Sequence, residues 1–255
     1  MVKGLYTAYT GMVNEQNRMD IMTNNLANAS TVGYKKEGST SQSFNDVLTV
    51  KIKDQSVGMR NVQKIGIKNP GVKIGENYTQ GSFRITDNTY DLALAGDGFF
   101  AIEFTNKAGE TDTKYTRAGQ FTLNKDGYLV TEEGDYVLDT QNRRIRLNTL
   151  LDSKITDDGT IYQNDQAVAR IQVTDFEDYD YLEKYGETYY QPIEGAKTTT
   201  ADAQVKSGYL EMANVQIVSE MVNLISITRA YESNQKVVQT IDGTLDVAAN
   251  QIGKL

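Results

Sequence analysis

The sequence predicts an α+β protein: one helix at each end of the chain and a mostly antiparallel β-domain between them. Three observations carry that prediction. A heptad-like apolar stripe runs through the first 26 residues. A stricter one runs from Ile217 to Ile252. Between them lie short alternating strands punctuated by Gly, Asp and Asn.

At the N-terminus, Met1, Leu5, Ala8, Met12, Met19, Met22 and Leu26 follow steps of four and three, with Glu15 the polar break. That spacing places them on one helix face. Gly4 and Gly11 weaken the helix in isolation, so it needs a partner. The stretch "NNLANASTVGYKK", residues 24–36, ends it. Asn28 and Gly33 tolerate the left-handed backbone that stops a helix. Lys35 and Lys36 would then sit near its negative end. The expected helical segment is 1–32.

Residues 33–74 follow as an expected extended connector. They include the polar "EGSTSQSF" and the Gly-rich "IGIKNPGVKIG" with Pro70, one of two prolines in the chain.

The expected β-domain spans 75–204. Phe100, Ile102 and Phe104 alternate after "AGDGFF", where Gly96 and Gly98 flank Asp97 in a tight turn; a phosphate loop would need a following helix. "TLNKDGYLVTEE" matches calcium-loop positions at Asn124, Asp126, Gly127 and Glu133, but Thr122 stands where the anchoring Asp belongs. Strand-like flanks favour a hairpin turning at Asp-Gly. "TDDGT", residues 156–160, is another turn. Arg143, Arg144 and Arg146 form a basic cluster expected to be salt-bridged or a subunit contact. "DFEDYDYLEKYGETYY", residues 175–190, is acidic and tyrosine-rich, and reads as a loop or short helix.

The C-terminal segment, 205–255, is the strongest signal. Ile217, Leu224, Tyr231, Val238, Leu245 and Ile252 recur every seven residues; Met221, Ile227 and Ile241 widen the stripe, and Asn234 and Gln235 interrupt it. Only Gly243 weakens the run, and Asn214 is the expected N-cap. So strict a period favours helix-on-helix packing, within the chain or between chains.

Composition narrows function. With no Cys and no His among 255 residues, thiolate, Ser-His-Asp and most transition-metal chemistries are excluded. A formal charge of −8 disfavours nucleic acid and anionic membranes as partners. No apolar run is long enough to insert in a membrane, and the first residues lack the apolar stretch of a secretory signal. No cofactor and no enzyme activity are expected.

Three stretches together resemble the bacterial flagellar rod and hook protein family: "LYTAYTGMVNEQNRMDIMTNNLANASTVGYKK", "GSFRITDNTYDLALAGDGFFAI" and "GYLEMANVQIVSEMVNLISITRAYESNQKVVQTIDGTLDVA". The signature positions are Asn24, Asn25, Leu26, Ala27, Asn28, Gly33, Gly96, Asp97, Gly98, Phe99, Phe100, Arg229, Ala230, Tyr231 and Glu232. Chain length and a single β-domain resemble the distal-rod or the neighbouring proximal-rod type. The resemblance implies terminal helices paired as a coiled coil lining a tube in the flagellar basal body. It also implies export through the flagellar apparatus, and partners that are further copies of the chain and other rod and hook subunits. Assembly contacts are expected at Leu5, Met12, Met19, Met22 and Leu26, and at Ile217, Leu224, Tyr231, Val238 and Leu245. A second reading makes the β-domain a carbohydrate-binding or glycosidase-like module on a coiled-coil stalk, with Asp175 and Glu177 as its carboxylates.

Overall fold

In a computed structural model of the chain, residues 2–41, 72–106 and 109–251 are described. They divide into two compact units.

Of the described residues, the helical unit holds 2–26, 37–41, 72–76 and 217–251. Helix α1 is Val2–Ala27 and helix α2, 35 residues and about 52 Å long, is Ile217–Gln251. Met1 and Ile252 of the apolar stripes lie outside the described residues. Both ends of the expected connector are regular. Strand β1 (Glu37–Ser41) pairs antiparallel with β2 (Val72–Glu76), from Glu37 opposite Glu76 to Ser41 opposite Val72.

The β-unit holds residues 27–36 and 77–216. Its strands begin with β3 (Phe83–Ile85), β4 (Leu92–Ala95), β5 (Phe99–Thr105) and β6 (Thr111–Thr116). Next come β7 (Phe121–Leu123), β8 (Leu129–Thr131), β9 (Tyr136–Val137), β10 (Ser153–Ile155), β11 (Thr160–Gln163), β12 (Gln166–Arg170) and β13 (Val173–Phe176). A 3-10 turn at Tyr179–Tyr181 leads into β14 (Leu182–Tyr185), β15 (Tyr189–Pro192), β16 (Thr198–Thr200), β17 (Gln204–Ser207) and β18 (Tyr209–Glu211). Residues 205–207 and 209–211, read from sequence with the C-terminal helix, are therefore strand, with a turn at Gly208 between them. Among the described residues the strands pair antiparallel, and the main sheet runs β14-β15-β6-β5-β9-β8-β7.

Strand β5 is buried on both faces, which is why it reads "FFAI" with no polar partner for each apolar residue. Phe100 joins Leu92, Leu94, Phe121, Leu129, Ile145 and Ile161 in one core. Phe99 and Ala101 join Tyr115, Leu138, Phe176 and Tyr190 in another. The alternation of Phe100 and Ile102 thus separates two cores, not core from solvent.

The expected turns form. Asn124 Oδ1 accepts from the Asp126 and Tyr128 amides, and Gly127 takes φ +81°, closing a β7–β8 hairpin. Among the described residues no group of His, Cys, Asp and Glu could hold a metal ion. The arginine cluster is paired within the unit: Arg143 with Asp139 at 3.1 Å, and Arg144 with Glu103 while lying over the Tyr136 ring. The Arg146 Nε donates to the Asp126 carbonyl.

Candidate assembly site

The site is built from two parts, a helical seam and the place where the chain enters and leaves the β-unit.

In the seam, α1 and α2 run in opposite directions. A Cβ placed on Gly4 would meet Ile241 Cδ1 at 3.4 Å, and one on Gly11 would meet Asn234 Nδ2 at 2.9 Å. Seven residues forward on α1 match seven back on α2. The features that looked like defects in the sequence therefore belong together: Asn234, the polar interruption of α2, lies where α1 offers a glycine. The absent side chain leaves room for the amide. A polar residue in such a position of a helical seam favours one register at some cost in stability.

Burial on α2 follows the same period. Glu220 and Ile227 are buried, and Leu224, Tyr231, Asn234, Val238 and Ile241 are half-buried, while most positions between them are exposed. Glu220 lies in the first turn, where the helix dipole favours a carboxylate. Of the expected assembly residues, Met22 is buried, and Leu5, Met12, Met19, Leu26, Leu224, Tyr231 and Val238 are half-buried. Ile217 (47%) and Leu245 (39%) are exposed. Ile217 belongs to a second apolar face that the heptad count did not isolate: Ile217, Val218, Met221, Val222 and Ile225, all exposed. Its signal was present as i, i+1, i+4, i+5, i+8 spacing, masked by the stronger stripe.

The signature asparagines divide their tasks. Asn25 is fully buried; its amide donates to the Glu37 carbonyl at 2.7 Å, and its Oδ1 accepts from the Glu37 amide at 2.9 Å. It thereby fastens the start of β1 to the end of α1. Asn28 Oδ1 accepts from the Thr31 hydroxyl at 3.1 Å, and its carbonyl accepts from the Thr31 amide, shaping the turn after the helix. Asn24, Ala27, Arg229 and Glu232 are exposed, and Ala230 is half-buried. Between β4 and β5, Gly96 and Gly98 both take positive φ around an exposed Asp97, and Phe99 and Phe100 are buried.

Residues 33–36 dock on the β-unit. The Gly33 amide donates to the Glu211 carbonyl at 2.8 Å. Gly33 has φ +70°, and a Cβ there would lie 2.3 Å from the Ala118 amide nitrogen. Tyr34 is fully buried, with the Lys184 ammonium 4.3 Å from its ring centre. Lys35 does not cap the helix end, as its sequence position suggested. It is 1% exposed, and its ammonium donates to Glu211 Oε1 at 2.7 Å and to the Thr79 carbonyl at 3.0 Å. Burial pushes the Lys35 ammonium below its ordinary pKa, against the pull of Glu211. Arg117 approaches Glu211 Oε2 at 3.4 Å, and all three groups are buried.

Asn214 is likewise no N-cap, since α2 begins at Ile217. Its Oδ1 accepts from the Lys36 amide at 2.7 Å. Its Nδ2 donates to the carbonyls of Asn77 at 2.7 Å and Thr79 at 2.9 Å. No sequence rule singles out an asparagine three residues before a helix for this task.

Asp175 accepts from the Tyr179 hydroxyl at 2.7 Å, and Glu177 pairs with Lys197 at 3.7 Å. Both carboxylates of the carbohydrate reading are engaged by neighbouring side chains.

Three family models match in chain order. "Flagella basal body rod protein" covers residues 5–35, "Flagellar hook protein FlgE/F/G D1 domain" 93–163, and "Flagellar basal body rod FlgEFG protein C-terminal" 206–252. The flagellar basal-body rod protein FlgG of Bacillus subtilis is 33% identical over 98% of this chain and 99% of its own length. FlgF of Caulobacter vibrioides, also a basal-body rod protein, is 33% identical over 100% and 98%. The flagellar hook-basal body complex protein FlhO of B. subtilis is 31% identical over the whole of both chains. With a buried asparagine and a docked "GYKK" segment at one end and a long seamed helix at the other, this chain belongs to the flagellar basal-body rod protein family, and is a structural subunit of the basal body, not an enzyme.

Proposed function

We propose that this rod subunit polymerises into a tubular drive shaft, with α1 and α2 paired as an antiparallel coiled coil that lines the tube. The observation that supports the pairing is the matched seven-residue step, Gly4 against Ile241 and Gly11 against Asn234. The assembly residues in this reading are Leu5, Met12, Met19, Met22 and Leu26 with Ile217, Leu224, Tyr231, Val238 and Leu245. Those facing the seam hold the helices together. Exposed Ile217 and its neighbours meet the next subunit. A contact between two different faces does not close on itself and propagates as a helical tube. Other rod and hook subunits continue the shaft, and the flagellar export apparatus delivers each chain with its ends not yet folded.

Leu224→Asp tests the reading. A charge in the seam is expected to leave the β-unit's thermal transition in place and abolish polymer seen by electron microscopy. Normal polymer from this variant would overturn the pairing.

A further inference from the structure

The chain passes between the helical unit and the β-unit at four places: 26/27, 36/37, 76/77 and 216/217. Segments adjoining three of these crossings meet inside the β-unit. The Asn77 amide donates to the Lys36 carbonyl at 2.9 Å. Asn214 receives the Lys36 amide and donates to the Asn77 and Thr79 carbonyls. Glu211 receives Lys35 on Oε1, which also accepts from the Gly81 amide at 2.9 Å. Met212 donates its amide to the Ser82 carbonyl at 2.8 Å. Each segment is thus bonded to both of the others.

We propose that Asn214 and Glu211 bind segments 33–36, 77–82 and 211–214 into a single joint that opens and closes as one cooperative body. Two features argue for it. Asn214 contacts two segments through opposite ends of one amide, so removing it weakens the hold on both together. Glu211 is buried between Lys35 and Arg117, and a carboxylate so placed makes any partial opening costly, because one buried charge would be left without its partner. Partial states are disfavoured and concerted opening remains. In a shaft, the joint makes the crossings act together when force passes along the chain. That use rests on the rod reading; the joint itself does not.

Hydrogen exchange on the full-length chain tests it without any polymer. The amides of Gly33, Lys36, Asn77, Gly81 and Met212 are expected to exchange at one common rate. In Asn214→Ala all five are expected to accelerate together, by about tenfold or more. The Ala101 and Leu138 amides, bonded within the core sheet, are expected to keep their wild-type rates. Acceleration confined to Lys36 would overturn the proposal, since Asn214 would then be a local bond. Acceleration of the core amides as well would also overturn it, since the network would then be ordinary β-unit stability. Glu211→Gln gives a second reading from the other side of the joint: the same five amides are expected to accelerate together and by a larger factor than the Ala101 and Leu138 amides, and equal factors would overturn the proposal.

Discussion

Gly33 is the residue on which the entry of the chain into the β-unit turns. Its φ of +70° suits glycine, and its Cα passes so close to the 117–118 peptide that no side chain fits. Gly33→Ala meets both obstacles, and is expected to destabilise the β-unit by about 2–4 kcal/mol in a denaturant melt. Two residues on, Lys35 shows why a charge was placed in a core. Neutralising Glu211 as glutamine leaves Lys35 and Arg117 buried without their anion, a loss expected at about 3–5 kcal/mol. A combined Lys35→Met, Arg117→Met, Glu211→Leu variant is expected to recover part of that, because no buried charge is then left without its partner. A third residue acts at low pH. Hydrogen bonds from the Thr156 and Thr160 hydroxyls hold the Asp158 carboxyl at about 2, below an ordinary 3.8. A depressed carboxyl contributes stability that is complete above the ordinary value and is lost as pH falls through the folded one. Asp158→Asn is therefore expected to lower stability at pH 6 and to flatten its decline between about pH 4 and 2, measured by thermal melting across that range.

At the scale of elements, α2 carries two apolar faces that differ in burial. The seam face from Glu220 to Ile241 repeats at four and three residues and is half-buried or buried throughout. The second face, Ile217 to Ile225, is apolar yet exposed. Water contact over such a stripe costs about 25 cal/mol per Å², which favours its burial against another copy. Val222→Asp lies on this outer face. It is expected to leave the helices paired in the monomer and to stop polymer growth, whereas Leu224→Asp disrupts the pairing itself. Circular dichroism of the two monomers separates them: only the seam variant should lose helical signal. The β1–β2 ladder is also an element-scale device. Two extended segments far apart in sequence become regular by pairing, and Asn25 ties the first of them to α1.

For the whole molecule, two compact units divide the work. The β-unit has two cores of its own on either side of β5, and is expected to fold without polymerisation. Helix α2 leaves Ile217, Val218, Met221, Val222 and Ile225 exposed, the face proposed above to meet the next subunit. Limited proteolysis is expected to cleave α1 and α2 faster in the monomer than in the polymer, while sparing the β-unit in both. Equal resistance of the helices in both states would contradict this.

The sequence by itself determined the class, the turns and the family. Period-seven stripes force a helix to bury one face, Asp-Gly between alternating strands forces a hairpin, and neither depends on anything distant. It also marked Gly33 and the asparagines, because few residues stop a helix. What it could not determine was which distant groups meet. The Gly11–Asn234 match, the Lys35–Glu211–Arg117 cluster and the Asn214 tie join residues separated by most of the chain. Read locally, each pointed elsewhere: Gly11 to a weak helix, Asn234 to a broken stripe, Lys35 to a helix dipole, Asn214 to an N-cap. Tertiary structure decided them, because a buried polar group is stable only where a partner comes within hydrogen-bond reach, and the fold alone brings those partners together.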